Sequence, residues 1–181
     1  MNIRELNPEM AQEARACVVA LRNGSLASFP TPSGWCTVCD CSNKMAVDAL
    51  LGCNQLTNFC ILIDHEGRLS KYTAPLSEPV LNLLEFSERP LQFVIEGASA
   101  AAPNIPLETP FMIATDPFSN RVASSFGKAL LAGFGTEPVT NIQDLNTTCH
   151  VVNLRAGMNA NPDQIVVMQF SKDGSFRFIK K

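Results

Sequence analysis

The sequence predicts one α/β domain, of α+β character, in which helices and strands alternate and the chain closes on a pair of strands. Three observations carry this. Apolar residues recur at helical spacing in three segments, beginning with Met10, Ala14, Cys17, Val18 and Leu21. Unbroken apolar runs of strand length stand at Phe59–Ile63 and Leu91–Ile95. Near the end, Gln164–Phe170 and Ser175–Ile179 flank a Lys172-Asp173-Gly174 turn, the pattern of a hairpin. The length of 181 residues suits a single domain, 1–181, that buries roughly 70% of its unfolded surface.

The elements follow in order. Asn7 is a natural N-cap and Pro8 a natural first residue for a helix that runs to Arg22, where Asn23-Gly24 ends it. Ser25–Phe29 reads as a short strand, followed by a Pro30-Thr31 loop that leads to Cys39-Asp40. A second helix starts at Ser42 or Asn43 and stops at Leu51, before Gly52. After the strand at Phe59–Ile63 comes a turn, Asp64-His65-Glu66-Gly67, then two short helical pieces, one before Ala74-Pro75 and one from Glu78 to Phe86. Leu91–Ile95 is the next strand. Residues 97–110, rich in Ala and Pro without period, read as a loop. Phe111–Ala114 is a strand. Phe118, Val122 and Phe126 give one face to a helix over Pro117–Lys128. Ala129–Ala132 is a short strand into Gly133-Phe134-Gly135, and His150–Leu154 is another strand.

Composition excludes several classes. Formal net charge is −3, which argues against the dense cationic surface that nonspecific nucleic-acid binding requires, and so against DNA as a partner. No apolar run approaches the roughly 18 residues of a membrane span. The first residues lack a signal-peptide core, so the expected compartment is the cytoplasm. Seven cysteines fit poorly with a fully paired secreted framework and read as small buried apolar residues.

The stretch Phe29-Pro30-Thr31-Pro32-Ser33-Gly34-Trp35-Cys36-Thr37-Val38-Cys39-Asp40 carries the most information. Set behind a helix and a strand, it resembles the opening of the Sua5/YciO/YrdC family, whose usual pattern is Pro-Thr-Asp/Glu-Thr-x-Tyr-Gly-Leu-x-Cys-Asp. Pro30, Thr31, Cys39 and Asp40 are identical to it. Ser33 stands for Thr and Trp35 for Tyr, while Pro32, Cys36 and Thr37 replace the acidic residue, Gly and Leu. Further along, Ala46–Leu50, Phe59–Ile63, Pro90–Val94, Phe118–Lys128 and Thr148–Asn153 are similar to the family's later segments in the same order.

The resemblance implies a twisted mixed sheet with flanking helices around a concave cavity, and ligand contacts from Thr31, Ser33, Trp35, Asn58, Thr147, Thr148 and Arg155. Family members make threonylcarbamoyl adenylate from L-threonine, bicarbonate and ATP for tRNA modification, so the implied ligands are L-threonine or a nucleotide, with ATP and Mg as cofactors and RNA as a further implied partner. One departure bears on the chemistry. Where the family places a Lys-x-Arg pair for the ATP phosphates, this chain has Gly52-Cys53-Asn54-Gln55-Leu56, with no cation. Phosphoryl chemistry rests on positive charge at the triphosphate. The expectation is therefore a divergent binding protein with weakened or lost synthase chemistry. The alternatives are an active synthase that rebuilt its phosphate site from Arg155, Arg121 or Lys128, and a non-catalytic scaffold that meets a partner through loop 97–110.

Other candidates have simpler readings. Thr31 and Ser33 suit backbone bonding in a turn as well as a ligand, and Trp35 suits the core as well as a cavity wall. Cys36, Cys39 and Cys41 have a C-x-x-C-x-C spacing, yet no second C-x-x-C completes a zinc site. His65 lies in a turn and His150 at a strand start, neither in a catalytic pattern. Lys172, Arg177, Lys180 and Lys181 form a small basic tail that reads as a solvated edge. Gly133-Phe134-Gly135 is too short for a phosphate loop.

Overall fold

The structure, a computed structural model, describes residues 6–87, 90–140, 147–155 and 165–180. Asn7 accepts the Met10 amide at 2.8 Å and opens α1 (Pro8–Arg22). A hairpin follows, β1 (Leu26–Thr31) and β2 (Gly34–Asp40). Asn43 caps α2 (Lys44–Leu51), and β3 (Thr57–Ile63) leads into a 3-10 turn at Glu66–Lys71. Then come α3 (Glu78–Phe86), β4 (Leu91–Ile95), β5 (Phe111–Ile113) and α4 (Pro117–Phe126). The chain continues with β6 (Leu130–Gly135), β7 (Cys149–Val151), β8 (Val166–Phe170) and β9 (Phe176–Lys180).

Among the described residues the strands form one nine-stranded mixed sheet in the order β7-β1-β2-β6-β3-β5-β4-β8-β9. Pairing is parallel for β1–β7, β3–β5 and β4–β8 and antiparallel elsewhere. The sheet separates two apolar layers. Beneath α1 and α4, Leu21, Phe29, Val38, Leu130, Phe134, Phe118 and Val122 pack together. On the opposite face α2 and α3 cover Ile61, Ile63, Phe93, Phe111, Leu131 and Phe170. Successive strand residues alternate between these layers, so Leu130, Ala132 and Phe134 join the first and Leu131 the second. No helix of the described residues is long and apolar enough to cross a membrane.

Four segments differ from the sequence reading. The stretch between Pro30-Thr31 and Cys39-Asp40 is no loop. It is a tight turn and then the whole of β2, paired along both edges by β1 and β6 and buried on both faces because Cys39 packs into one apolar layer and Cys36 and Val38 into the other. Likewise Gly133-Phe134-Gly135 belongs to β6, at the centre of the sheet. Glycine weakens a strand signal in sequence, yet here it is a packing requirement. A Cβ on Gly135 would lie 2.8 Å from the Gln55 carbonyl oxygen. The expected strand at His150–Leu154 is confined to Cys149–Val151, and α4 stops at Phe126, before Gly127 at φ +81°. Residue 164 and Lys181 lie outside the described residues.

Candidate functional site

The β1–β2 turn has to be built without the usual hairpin geometry. Pro32 fixes φ near −65°, which excludes the primed turns that favour two-residue hairpins. Closure rests on Gly34, at φ +119°, and on the Thr31 hydroxyl. That hydroxyl donates to the Gly34 carbonyl at 2.8 Å and accepts the Ser33 amide at 3.2 Å. Thr31 and Ser33 are both buried.

This turn forms one wall of a cavity of about 320 Å³. Its floor is the sheet face beneath α4, with Cys36 from β2, Phe134 from β6, Leu62 from β3 and Met112 from β5. The opposite wall is the β5–α4 connection, Ala114-Thr115-Asp116-Pro117, together with Ser119, and Pro90 completes the lining. Most of this surface is apolar. The polar side chains are the hydroxyls of Thr31, Ser33, Thr115 and Ser119 and the carboxylate of Asp116. Among the described residues no lysine or arginine lines the cavity.

Asp116 is the N-cap of α4. Its Oδ2 accepts the Ser119 amide at 3.1 Å, and Arg155 grips the carboxylate with two bonds, Nη2 to Oδ1 at 2.6 Å and Nη1 to Oδ2 at 3.2 Å. The two side chains retain 9% and 21% of their exposure. Arg155 itself sits at φ +72°, a left-handed conformation that costs an ordinary residue roughly 1–2 kcal/mol. The chain therefore spends conformational energy where this ion pair forms.

The seven residues implied by the family resemblance separate in space. Thr31 and Ser33 line the cavity, and Arg155 stands directly behind the cavity-lining Asp116. Trp35 follows Gly34 and precedes Cys36 in β2, so it projects from the opposite sheet face to the cavity, where it is 9% exposed. Asn58 sits at a register shift in β3 with φ +48°. Its carbonyl accepts the buried Gln92 amide at 2.8 Å, and it is not part of the lining. Thr147 and Thr148 precede β7, which runs parallel to β1, and the Leu26 amide donates to the Thr148 carbonyl at 2.9 Å. That places Thr148 level with Ser25, at the far end of β1 from Thr31 and about 20 Å away for six residues at roughly 3.3 Å each. There the Thr148 hydroxyl meets that of Ser25 at 2.7 Å. The same parallel run carries the chain forward to Arg155 at the cavity end.

Asp116 and Thr115 carried no expectation as ligand contacts. Their sequence signal was present, since an Asp-Pro pair between an apolar strand and an amphipathic run is a helix N-terminus, and βα connections are where α/β sheets place ligands. Arg121 and Lys128 are exposed and outside the lining.

The cysteines are all free. Burial pushes the thiols of Cys17, Cys41 and Cys149 up to about 12, and those of Cys36, Cys39 and Cys60 upward as well. Thiols held protonated are poor nucleophiles and poor metal ligands. Among the described residues no three His, Cys, Asp or Glu side chains gather as a metal site. His150 Nε2 meets Glu13 at 3.2 Å, joining β7 to α1, and His65 Nδ1 accepts the Gly67 amide at 3.1 Å.

No protein-family model and no curated protein matches the chain by sequence. Solved structures do match it in fold. Escherichia coli YciO superposes with a TM-score of 0.63 at 14% identity, over 97% of this chain and 91% of that one. Pyrococcus abyssi Sua5 in complex with L-threonine superposes at 0.61 and 14% identity, over 92% of this chain and 52% of Sua5. HypF in its phosphate- and nucleotide-bound form gives 0.61 and 14%, over 92% of this chain and 28% of HypF. The chain has the YrdC-like fold, a large mixed sheet flanked by helices.

Proposed function

We propose that this chain is a small-molecule-binding protein on the YrdC-like fold, whose cavity takes an amino acid or a compound of similar size, with threonylcarbamoyl adenylate synthase chemistry weakened or lost. The observation that carries the reading is the lining of the cavity: four hydroxyl side chains and one already paired carboxylate over an apolar floor, with no lysine or arginine among the described residues. Its volume of about 320 Å³ lies at the small end of the roughly 300–1,000 Å³ that ligand pockets occupy. A triphosphate and its metal need several cations aimed at the developing charge. The neighbour Sua5, solved with L-threonine, supports a ligand of amino-acid size.

Arg155 favours a second reading, an active synthase that draws its phosphate charge from this side chain, since it lies within one side chain of the cavity. Thermal unfolding with L-threonine, and separately with ATP and magnesium, separates the two. A ligand at about 100 times its dissociation constant adds roughly 2.7 kcal/mol, or about 5–10 °C for a chain of this size. The binding reading expects that rise with the amino acid and none with ATP. Pyrophosphate release from threonine, bicarbonate, ATP and magnesium, abolished in Arg155→Ala, establishes the synthase instead. No shift with any small ligand rejects both.

A further inference from the structure

Among the described residues the carboxylate of Asp116 receives three hydrogen bonds: two from the Arg155 guanidinium, at 2.6 and 3.2 Å, and one from the Ser119 amide at 3.1 Å. A guanidinium fork beside a backbone N–H in the first turn of a helix is a donor set for an oxyanion, and it suits a phosphate as well as a carboxylate. Here the chain fills that set with its own side chain, at a position that also lines the cavity. We propose that Asp116 fixes the ligand class by occupying this oxyanion position itself: the cavity admits an amine- or hydroxyl-bearing small molecule and turns away a phosphate. This inference rests on the reading of the cavity as a ligand site.

A phosphate approaching this end of the cavity meets a carboxylate in a poorly solvated setting, where like charges repel strongly. To take over the donors it must displace Asp116 from both Arg155 and the α4 amide, and so break the helix cap along with the ion pair. A donor group faces the reverse situation. An ionised carboxylate offers about four acceptor positions, and the described residues fill three of them, which leaves room for an ammonium or hydroxyl. The rest of such a ligand would lie over Cys36, Met112 and Phe134, within reach of the hydroxyls of Thr31 and Ser33.

Calorimetric titration of inorganic phosphate and pyrophosphate tests this. Asp116→Ser keeps a capping oxygen for α4 and removes the carboxylate, leaving a space into which the Arg155 fork still points. The wild-type chain is expected to bind phosphate no tighter than about 10 mM, and Asp116→Ser at least about tenfold tighter. The gain should vanish in Asp116→Ser/Arg155→Gln. Asp116→Asn, nearly isosteric and also a capping residue, repeats the test should the serine variant fold poorly. Phosphate binding by the wild-type chain as tight as by the variants overturns the proposal, as does a folded Asp116→Ser and Asp116→Asn pair with no gain. L-threonine and L-serine are titrated in parallel. If neither binds the wild-type chain, the small-molecule reading fails, while the contrast in phosphate affinity still decides the role of Asp116.

Discussion

Replacing Thr31 with valine preserves the shape of the side chain and removes the hydroxyl that closes the β1–β2 turn. Two backbone groups lose their partner, the Gly34 carbonyl held at 2.8 Å and the Ser33 amide held at 3.2 Å. An orphaned buried polar group costs about 1–3 kcal/mol. Both sit in a buried turn, but the cavity beside it lets water reach part of it, so the expected total is about 2–3 kcal/mol. At about 2–4 °C per kcal/mol for a chain of this length, the melting temperature falls by about 5–10 °C. Urea unfolding followed by circular dichroism measures the difference directly. Thr57→Val is the control: its hydroxyl donates to the Phe134 carbonyl at 3.3 Å from an exposed position, and its loss should cost less than about 0.5 kcal/mol. If Thr31→Val costs no more than this control, the hydroxyl does not hold the turn. Pro32 then does not force the turn to rely on it.

Three further expectations follow from the packing. Gly135→Ala sets a Cβ against the Gln55 carbonyl oxygen at 2.8 Å, so it should destabilise by about 2 kcal/mol or more, whereas an ordinary surface substitution stays within about 0.5; urea midpoints decide. Arg68 pairs with Asp64 at 2.8 Å and donates to the Gly127 carbonyl at 3.0 Å, and Arg68→Met should cost about 1–2 kcal/mol at pH 7. Burial by itself pushes the Asp64 carboxyl up, but the Arg68 hydrogen bonds, a backbone hydrogen bond and the neighbouring positive charge together outweigh it and hold the group below its ordinary 3.8. A folded-state pKa below the unfolded one gives stability that is full above about pH 4 and is lost as pH falls through the folded value. The gap between wild type and Arg68→Met should therefore narrow below pH 4, and a gap that widens there contradicts the pairing. Finally, a disulfide reagent at pH 8 should titrate Cys53 rapidly in the native chain and the buried thiols only in guanidinium, because burial holds them protonated. Rapid reaction of Cys39 or Cys41 would show that this face opens readily.

The elements were legible because their signals are local. Asn7-Pro8 and Asn43 announce helix starts within four residues, and the apolar runs at Phe59–Ile63 and Leu91–Ile95 are buried strands whatever surrounds them. The candidate site was legible only in part. Thr31 and Ser33 belong to a motif read as one piece and both reach the cavity, whereas Trp35, from the same motif, faces away because a strand sends neighbours to opposite sides. Reading the stretch as a loop conceals that division, since only a strand has faces. Asp116 went unassigned as a ligand contact because its partner, Arg155, is 39 residues away.

By itself the sequence determined the class of fold, the places where helices begin, and the absence of a Lys-x-Arg pair after α2, since each depends on residues within a few positions of one another. Tertiary structure decided the rest. It inserted β6 between β2 and β3, which required Gly133 and Gly135 where Phe59 and Gln55 pass close by. It set the β1–β2 turn opposite the start of α4 across one cavity. It also closed the guanidinium of Arg155 on the carboxylate that caps that helix. These are long-range pairings, favourable only once the sheet has paid the entropy of closing the intervening chain, and no local pattern of residues records them.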